Sequence, residues 1–171
     1  MRKLLKVALV ALGVVFMSNF AQAQTKIGYV ASEQLIPLLP QFKTAQTALD
    51  AFQKTYAEKY TSLTNELTTK GKDYETKRTT MTDAARSIAE TDIQDLQKRI
   101  QDFQTKANTE VQAKQEELIQ PLYTQIKAAI TAVAKEKGYT YVINSSSAEL
   151  LLVAPPADDL LPAVKTKLGL K

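Results

Sequence analysis

Residues 93–107 read IQDLQKRIQDFQTKA, and this stretch decides the fold. Its apolar residues lie three, four, three and four positions apart, at Ile93, Leu96, Ile100, Phe103 and Ala107. This spacing gathers them into one narrow stripe of an α-helix and leaves the remaining surface to Gln, Lys, Arg and Asp. A stripe this narrow is typical of a helix that pairs with one other helix. The stretch therefore predicts one half of a two-helix seam.

The partner helix is predicted upstream, in residues 41–78, where no proline interrupts the chain. Its apolar residues also recur three or four positions apart, with a single slip, at Ala45, Leu49, Phe52, Tyr56, Tyr60, Leu63 and Leu67. Gly71 lies inside this segment, and it should weaken the helix by about 1 kcal/mol relative to Ala. We interpret it as a flexible point near the far end. The helix would extend roughly 57 Å at about 1.5 Å per residue.

A turn is predicted at residues 79–83, which contain three threonines and no regular stripe. Thr82 or Asp83 can cap the returning helix, and Gly138 is a typical helix terminator. Two long helices joined by a short turn form an antiparallel hairpin. A hairpin of this length must project from whatever body the chain ends form.

Pro121 lies within the returning helix, where it removes one backbone hydrogen bond at a cost of about 3 kcal/mol. It marks either a kink where arm meets body or a loop between two helices. We favour the kink because the apolar spacing continues across it.

The two ends of the chain carry strand patterns. A short strand is predicted at residues 26–30, another at 139–143, a turn at 144–147 and a further strand at 149–154, before a closing helix capped by Asp159. The expected core of this body, shared with a trimer interface, consists of Ile27, Tyr29, Tyr141, Ile143, Leu151 and Val153. Three short strands and two short helices make a thin core, so self-association into a symmetric oligomer is expected to complete it.

Residues 1–23 have the three parts of a secretory signal peptide. Arg2, Lys3 and Lys6 precede an apolar run at residues 7–17, which is too short for the roughly 20 residues of a membrane span. Cleavage is expected after Ala23, leaving Gln24 as the first mature residue. The full chain has 22 basic and 18 acidic residues, and losing three basic ones leaves a net charge of +1. The basic character therefore belongs largely to the signal peptide, and we expect no nucleic-acid partner.

Catalysis is not expected, because the sequence contains no His and no Cys. The serines of residues 145–147 lie in a predicted turn without a base, and Glu116 and Glu117 face different sides of a helix. No phosphate-binding loop and no metal-ligand spacing occurs in the sequence, so we expect neither cofactor nor metal.

The junctions between arm and body resemble those of one family. They read KIGYV at 26–30, LIPLLP at 35–40, ELIQPL at 117–122 and VAKEKGY at 133–139, and Asp158 and Asp159 open the last helix. This order is similar to that of the Skp/OmpH periplasmic chaperones along essentially the whole mature chain. The resemblance implies an α+β, mostly α fold: a long antiparallel helical hairpin, a coiled-coil tentacle, projects from a small β-barrel-like body that trimerisation completes. Residues 41–118 would form the arm, and residues 24–40 and 119–171 the body.

The resemblance also implies a function. The protein would be an ATP-independent periplasmic holdase that keeps unfolded outer-membrane β-barrel proteins soluble in a cavity between the arms of a homotrimer. The alternative is a secreted coiled-coil scaffold or adaptor that binds a folded envelope partner.

One departure from the family concerns charge. Family members are often strongly basic, a property tied to acidic clients, lipopolysaccharide and anionic membranes. Here residues 41–111 contain 8 Lys and 3 Arg against 11 Asp and Glu. Basic residues do cluster toward the tip, with acids among them, at Lys70, Lys72, Lys77 and Arg78. We interpret this cluster as a solvated face. Membrane or lipopolysaccharide contact is the alternative, and no lipopolysaccharide site is carried over.

Client holding by such a neutral arm is expected to rest on many weak contacts multiplied across three arms. Tyr74 and Met81, near the tip, are the preferred contact residues, while Phe52 and Tyr56 are assigned to the helix seam. Client binding should accordingly depend only weakly on salt.

Overall fold

The structure, a computed structural model, describes residues 25–146, 151 and 153–170. Its two strands are β1 (Ile27–Val30) and β2 (Tyr141–Asn144), and its three α-helices are α1 (Pro40–Lys77), α2 (Asp83–Lys137) and α3 (Leu161–Lys167). Short 3-10 turns occupy Ser32–Gln34, Ile36–Leu38 and Pro156–Asp158. The predicted signal peptide and cleavage site lie outside the described residues.

Helices α1 and α2 form the predicted hairpin, with 38 and 55 residues respectively. The turn between them follows Lys77, and the Thr82 hydroxyl accepts a hydrogen bond from the amide of Ala85 at 3.3 Å, which caps α2 as expected. At the other end of α2, Gly138 adopts a φ of 72°, a conformation that glycine reaches without strain. The helix boundaries predicted from the sequence are confirmed to within a residue at each of these points.

Helix α2 is continuous through Pro121, so the alternative prediction of a loop between two helices is wrong. Since α1 has only 38 residues, the last turns of α2 extend beyond it and enter the body. The arm and the body are thus built on one shared helix. The bend at Pro121 stays a prediction.

The body contains a two-stranded parallel sheet in which Ile27 lies opposite Tyr141 and Tyr29 opposite Ile143. On the other edge of β1, the amide of Leu160 donates to the carbonyl of Tyr29 at 2.9 Å. The strand predicted at 149–154 is not present at residues 151, 153 and 154, and its remaining residues lie outside the described part of the chain. Within that part, the chain after β2 returns to the sheet at the bridge between Tyr29 and Asp159.

In the body core, four elements pack against one another: β1, the turn before α1, the last part of α2, and the helix α3. Its most deeply buried side chains belong to Val30, Leu35, Ile126, Leu160 and Val164. None of the six residues predicted for the body core lies in it, and Ile27, Tyr141 and Val153 are 48%, 62% and 91% exposed. The reason is the face of β1: Gly28 and Val30 point inward, which leaves Ile27 and Tyr29 on the opposite face of the sheet. That these residues line the interface of a trimer stays a prediction.

Candidate functional site

The surface of the arm is the first candidate site. Its seam is fully buried at one place, where Leu63 packs against Leu96 and Ile100. Toward the body the seam residues are only half-buried, at Phe42, Ala45, Leu49, Phe52, Tyr56, Phe103, Ala107, Val111 and Leu118. No buried polar or charged side chain occurs among the described residues. The arm therefore offers shallow apolar grooves along its seam rather than an enclosed pocket.

Three aromatic rings cross the seam in the middle of the arm. The ring centroids of Phe52 and Tyr56 lie 5.0 Å apart, and Tyr56 stacks on Phe103 at 5.7 Å. The assignment of Phe52 and Tyr56 to the seam is thus confirmed. Beside the rings lies an open groove of about 360 Å³ flanked by Lys59 and Lys106. Sequence reasoning missed this groove, because it forms only where two separate helices face each other.

The tip of the arm is held by polar contacts between the helices. The hydroxyl of Tyr74 on α1 donates a hydrogen bond to the Glu90 carboxylate on α2, and this bond raises the pKa of Tyr74 above its ordinary value of 10.0. Lys70 Nζ lies 3.3 Å from Asp92 Oδ2. Tyr74 and Met81 line one groove of about 160 Å³. The structure therefore brings together the two residues preferred as client contacts, and their role in binding stays a prediction.

The basic cluster at the tip is interleaved with acids. Arg78 Nε lies 3.4 Å from Glu75 Oε2, and Arg86 is paired with Asp83. All of these side chains are well exposed to solvent, so each pair is worth roughly 0–1 kcal/mol. This arrangement agrees with a solvated face.

The threonines of the arm use their hydroxyl groups internally. Nine of them donate to the carbonyl oxygen four residues earlier in their own helix: Thr47, Thr55, Thr61, Thr64, Thr68, Thr76, Thr91, Thr105 and Thr109. These hydroxyl hydrogens are therefore not free for a partner. The Gln and Lys side chains of the arm supply other hydrogen-bond donors on the same surface.

A second candidate surface lies on the body. Ile27 and Tyr141 lie opposite each other on one face of the sheet and are exposed, while Tyr29 and Ile143, the next pair on that face, are half-buried. Within the described residues, β2 has β1 as its single strand neighbour, so its outer edge has unpaired backbone groups. An apolar sheet face next to an open edge is a typical site of association.

The part of the chain that the structure describes contains neither a metal site nor a membrane-spanning helix. No group of three His, Cys, Asp or Glu residues comes close enough there to hold a metal ion. In the same residues, no helix combines the length and the apolar character that crossing a membrane requires.

Comparison with known proteins agrees with this geometry. The family described as outer membrane protein (OmpH-like) matches residues 26–168. A crystal structure of an OmpH-like protein from Caulobacter crescentus, assigned as an outer membrane chaperone, superposes with a TM-score of 0.70. The two chains are 18% identical, and the match covers 83% of this chain and 82% of the other, which shows a shared fold. No curated protein sequence matches the chain. Because the family match spans both the arm and the body, the chain belongs to the OmpH-like family.

Proposed function

We propose that the protein is a periplasmic holdase chaperone that works without ATP and keeps unfolded outer-membrane β-barrel proteins soluble between the arms of a homotrimer. The observation that carries the proposal is the surface of the arm. A half-buried apolar seam runs along a long exposed hairpin, and its grooves are shallow and open. Such a surface suits many weak contacts with an unfolded chain better than one tight contact with a folded protein.

Release without an energy source is consistent with the same surface. Weak contacts let a client leave spontaneously, and the sequence has no Gly-rich phosphate loop that would bind ATP. The absence of His and Cys from the sequence supports a non-enzymatic role. Family membership supports an outer-membrane chaperone, and the signal-peptide pattern of residues 1–23 supports the periplasm as the place of work.

Trimerisation is supported by the open sheet face of the body. Ile27 and Tyr141 are 48% and 62% exposed there, and a sheet of two short strands gives one subunit little core of its own. Joining the sheets of three subunits would cover this face and pair the free edge of β2. The arms, residues 41–118, would then leave the body side by side.

Aggregation suppression tests the proposal. A denatured β-barrel protein is diluted into buffer without nucleotide, with the mature protein at substoichiometric and stoichiometric ratios. Full suppression near one trimer per client, together with little effect on a native folded protein, is the expected result. An absence of suppression at every ratio, combined with tight binding to one folded envelope protein, would favour the scaffold alternative.

A further inference from the structure

One groove of the arm is lined by a single face of α2, where that helix reaches the body. The groove is open to solvent and has a volume of about 260 Å³. Its lining residues follow one another at intervals of one or three positions, which keeps them on one side of the helix. From residue 112 to residue 123, α2 rises roughly 16 Å at about 1.5 Å per residue. We call this surface the shoulder groove, and it consists of Gln112, Gln115, Glu116, Ile119, Gln120 and Tyr123.

The polar side chains of the shoulder groove are three amides and one carboxylate. Each glutamine amide offers two N–H donors and a carbonyl acceptor, while the Glu116 carboxylate only accepts. Within the described residues, none of these four side chains forms a hydrogen bond or an ion pair. Lys114, close by on the same helix, is paired with Glu117 at 2.7 Å. The four polar groups are therefore available to a ligand, and the described lining residues include no Lys or Arg that would attract an anion.

Apolar surface adjoins these amides. The Tyr123 side chain is 43% exposed, and Ile119, one helical turn earlier, is half-buried. A second groove, of about 160 Å³, shares Gln115 and Ile119 with the shoulder groove and continues it toward Phe42 and Gln46 on α1. A ligand lying in the shoulder groove would thus contact apolar groups and amides at the same time.

This composition selects among classes of ligand. A phosphate or an acidic peptide would find no cation in the groove, and a purely apolar segment would desolvate four polar side chains without giving them new hydrogen bonds. A pyranose sugar has a C–H face that can lie on an aromatic ring, and its edge carries hydroxyl groups that both donate and accept. An N-acetyl group adds an amide, which suits glutamine, and a methyl group, which suits Ile119.

From this match we propose that the shoulder groove binds a neutral oligosaccharide of N-acetylated hexoses, the chemistry of cell-wall glycan strands. Tyr123 lies against one sugar ring, Gln115 and Gln120 hydrogen-bond the N-acetyl and hydroxyl groups, and Ile119 contacts the acetyl methyl group. The inference goes beyond the proposed holdase function and does not depend on it.

Three soluble tetrasaccharides test the proposal with the mature protein. Chitotetraose is N-acetylated, cellotetraose has the same linkage without nitrogen, and the fully deacetylated glucosamine tetramer is cationic. Saturation-transfer NMR gives the affinities and shows which ligand protons contact the protein. Chitotetraose should bind about 5-fold more tightly than cellotetraose, because its N-acetyl groups add hydrogen bonds and methyl contacts. Its acetyl methyl protons should receive the strongest saturation.

The double variant Q120A/Y123A removes an amide and the aromatic ring together. It should weaken chitotetraose binding about 10-fold. Both residues are exposed and Ala is the strongest helix former, so α2 should be retained, which circular dichroism verifies. The matched control is Q53A/Y60A, at an exposed Gln and an exposed Tyr of α1 outside the shoulder groove. The control should leave the affinity within about 2-fold of wild type, as is usual for surface changes.

Several results would overturn the proposal. Equal affinities for chitotetraose and cellotetraose would refute recognition of the N-acetyl group. Tightest binding of the cationic tetramer would show that the Glu116 charge alone accounts for binding. Equal losses in the two double variants would place the sugar elsewhere on the arm. Wild-type protein that suppresses the aggregation of a denatured β-barrel protein but binds no tetrasaccharide keeps the holdase function and refutes the sugar site, and the opposite pair of results refutes the holdase function instead.

Discussion

Gly28 lies so close to Leu160 that a methyl group on Gly28 would be in tighter than ordinary van der Waals contact. A Cβ atom at Gly28 would be 3.0 Å from Leu160 Cδ1 and equally 3.0 Å from Tyr139 Cδ1. Gly28 is on the inward face of β1, where the strand meets the chain leading into α3. We therefore expect Gly28→Ala to destabilise the body by about 1–3 kcal/mol, the usual range for overpacking. Urea unfolding followed by circular dichroism measures the change.

The control for this variant is Gly71→Ala in the arm. A Cβ at Gly71 would meet no atom within 4 Å, and Gly71 lies in the interior of α1. The change should stabilise the protein by up to about 1 kcal/mol because Ala favours a helix more than Gly does. Stabilisation by Gly28→Ala would contradict the close packing described for the body.

The tip groove yields a second prediction. Replacing both Tyr74 and Met81 with Ser removes the apolar lining that these residues share. About 3- to 10-fold more protein should then be needed to suppress the aggregation of a denatured β-barrel protein, because a small loss at each tip is multiplied across the arms. Tyr60→Ser, at a 37% exposed seam residue, is the control and should change little. If the double variant suppresses aggregation as well as the wild type does, Tyr74 and Met81 do not contribute to client binding.

The hydrogen bond between Tyr74 and Glu90 predicts behaviour at alkaline pH. Hydrogen bonding to the Glu90 carboxylate is the main cause of the raised pKa of Tyr74, since it favours the neutral phenol. Its contribution to stability is complete below the ordinary pKa of 10.0 and is lost as the pH rises through the raised value. In an absorbance titration, the phenolate signal of Tyr74→Phe should therefore rise less than that of the wild type at the high-pH end. If the absorbance change lost in Tyr74→Phe instead occurs at the ordinary tyrosine pKa of 10.0, the bond is not formed in solution.

Tyr139 is a second tyrosine whose pKa is raised, mainly by burial and then by its hydrogen bond to Asp158 at 2.9 Å. It should account for the late titration that remains in Tyr74→Phe. Double replacement of Tyr74 and Tyr139 by Phe provides the check.

The open sheet face yields a prediction about assembly. Ile27→Asp combined with Tyr141→Asp places two charges on the face that a trimer would cover, and such charges are costly to bury. Light scattering should show the mass falling about threefold, from trimer to monomer. Tyr60→Asp, on the arm, should leave the mass unchanged. A wild-type protein that is monomeric at micromolar concentration would contradict the trimer itself.

The arm could be predicted from the sequence because its signals are local. The stripe at Ile93, Leu96 and Ile100 sets the seam, and the cap at Thr82 and the glycine at 138 set the ends of α2. Each of these signals acts within one or two helical turns. The grooves beside the seam could not be predicted, because they depend on which α1 residue faces which α2 residue.

The body was harder to predict because β1 carries no clear alternation. Ile27 and Tyr29 on one face are larger than Gly28 and Val30 on the other, so size alone assigns the core to the wrong face. The small size of Gly28 is the informative feature, since it marks where Leu160 and Tyr139 approach. That approach joins parts of the chain that are distant in sequence, and no local pattern encodes it.

The parallel pairing of β1 with β2 has a consequence for the order of folding. Ile27 is among the first described residues, and its partner Tyr141 follows only after the whole of the arm. The hairpin can form from neighbouring segments, while the sheet must wait until nearly the entire chain is available. A chain secreted amino-terminus first would thus acquire its arm early and close its body last. Assembly of subunits, which needs the finished sheet, would follow release of the complete chain.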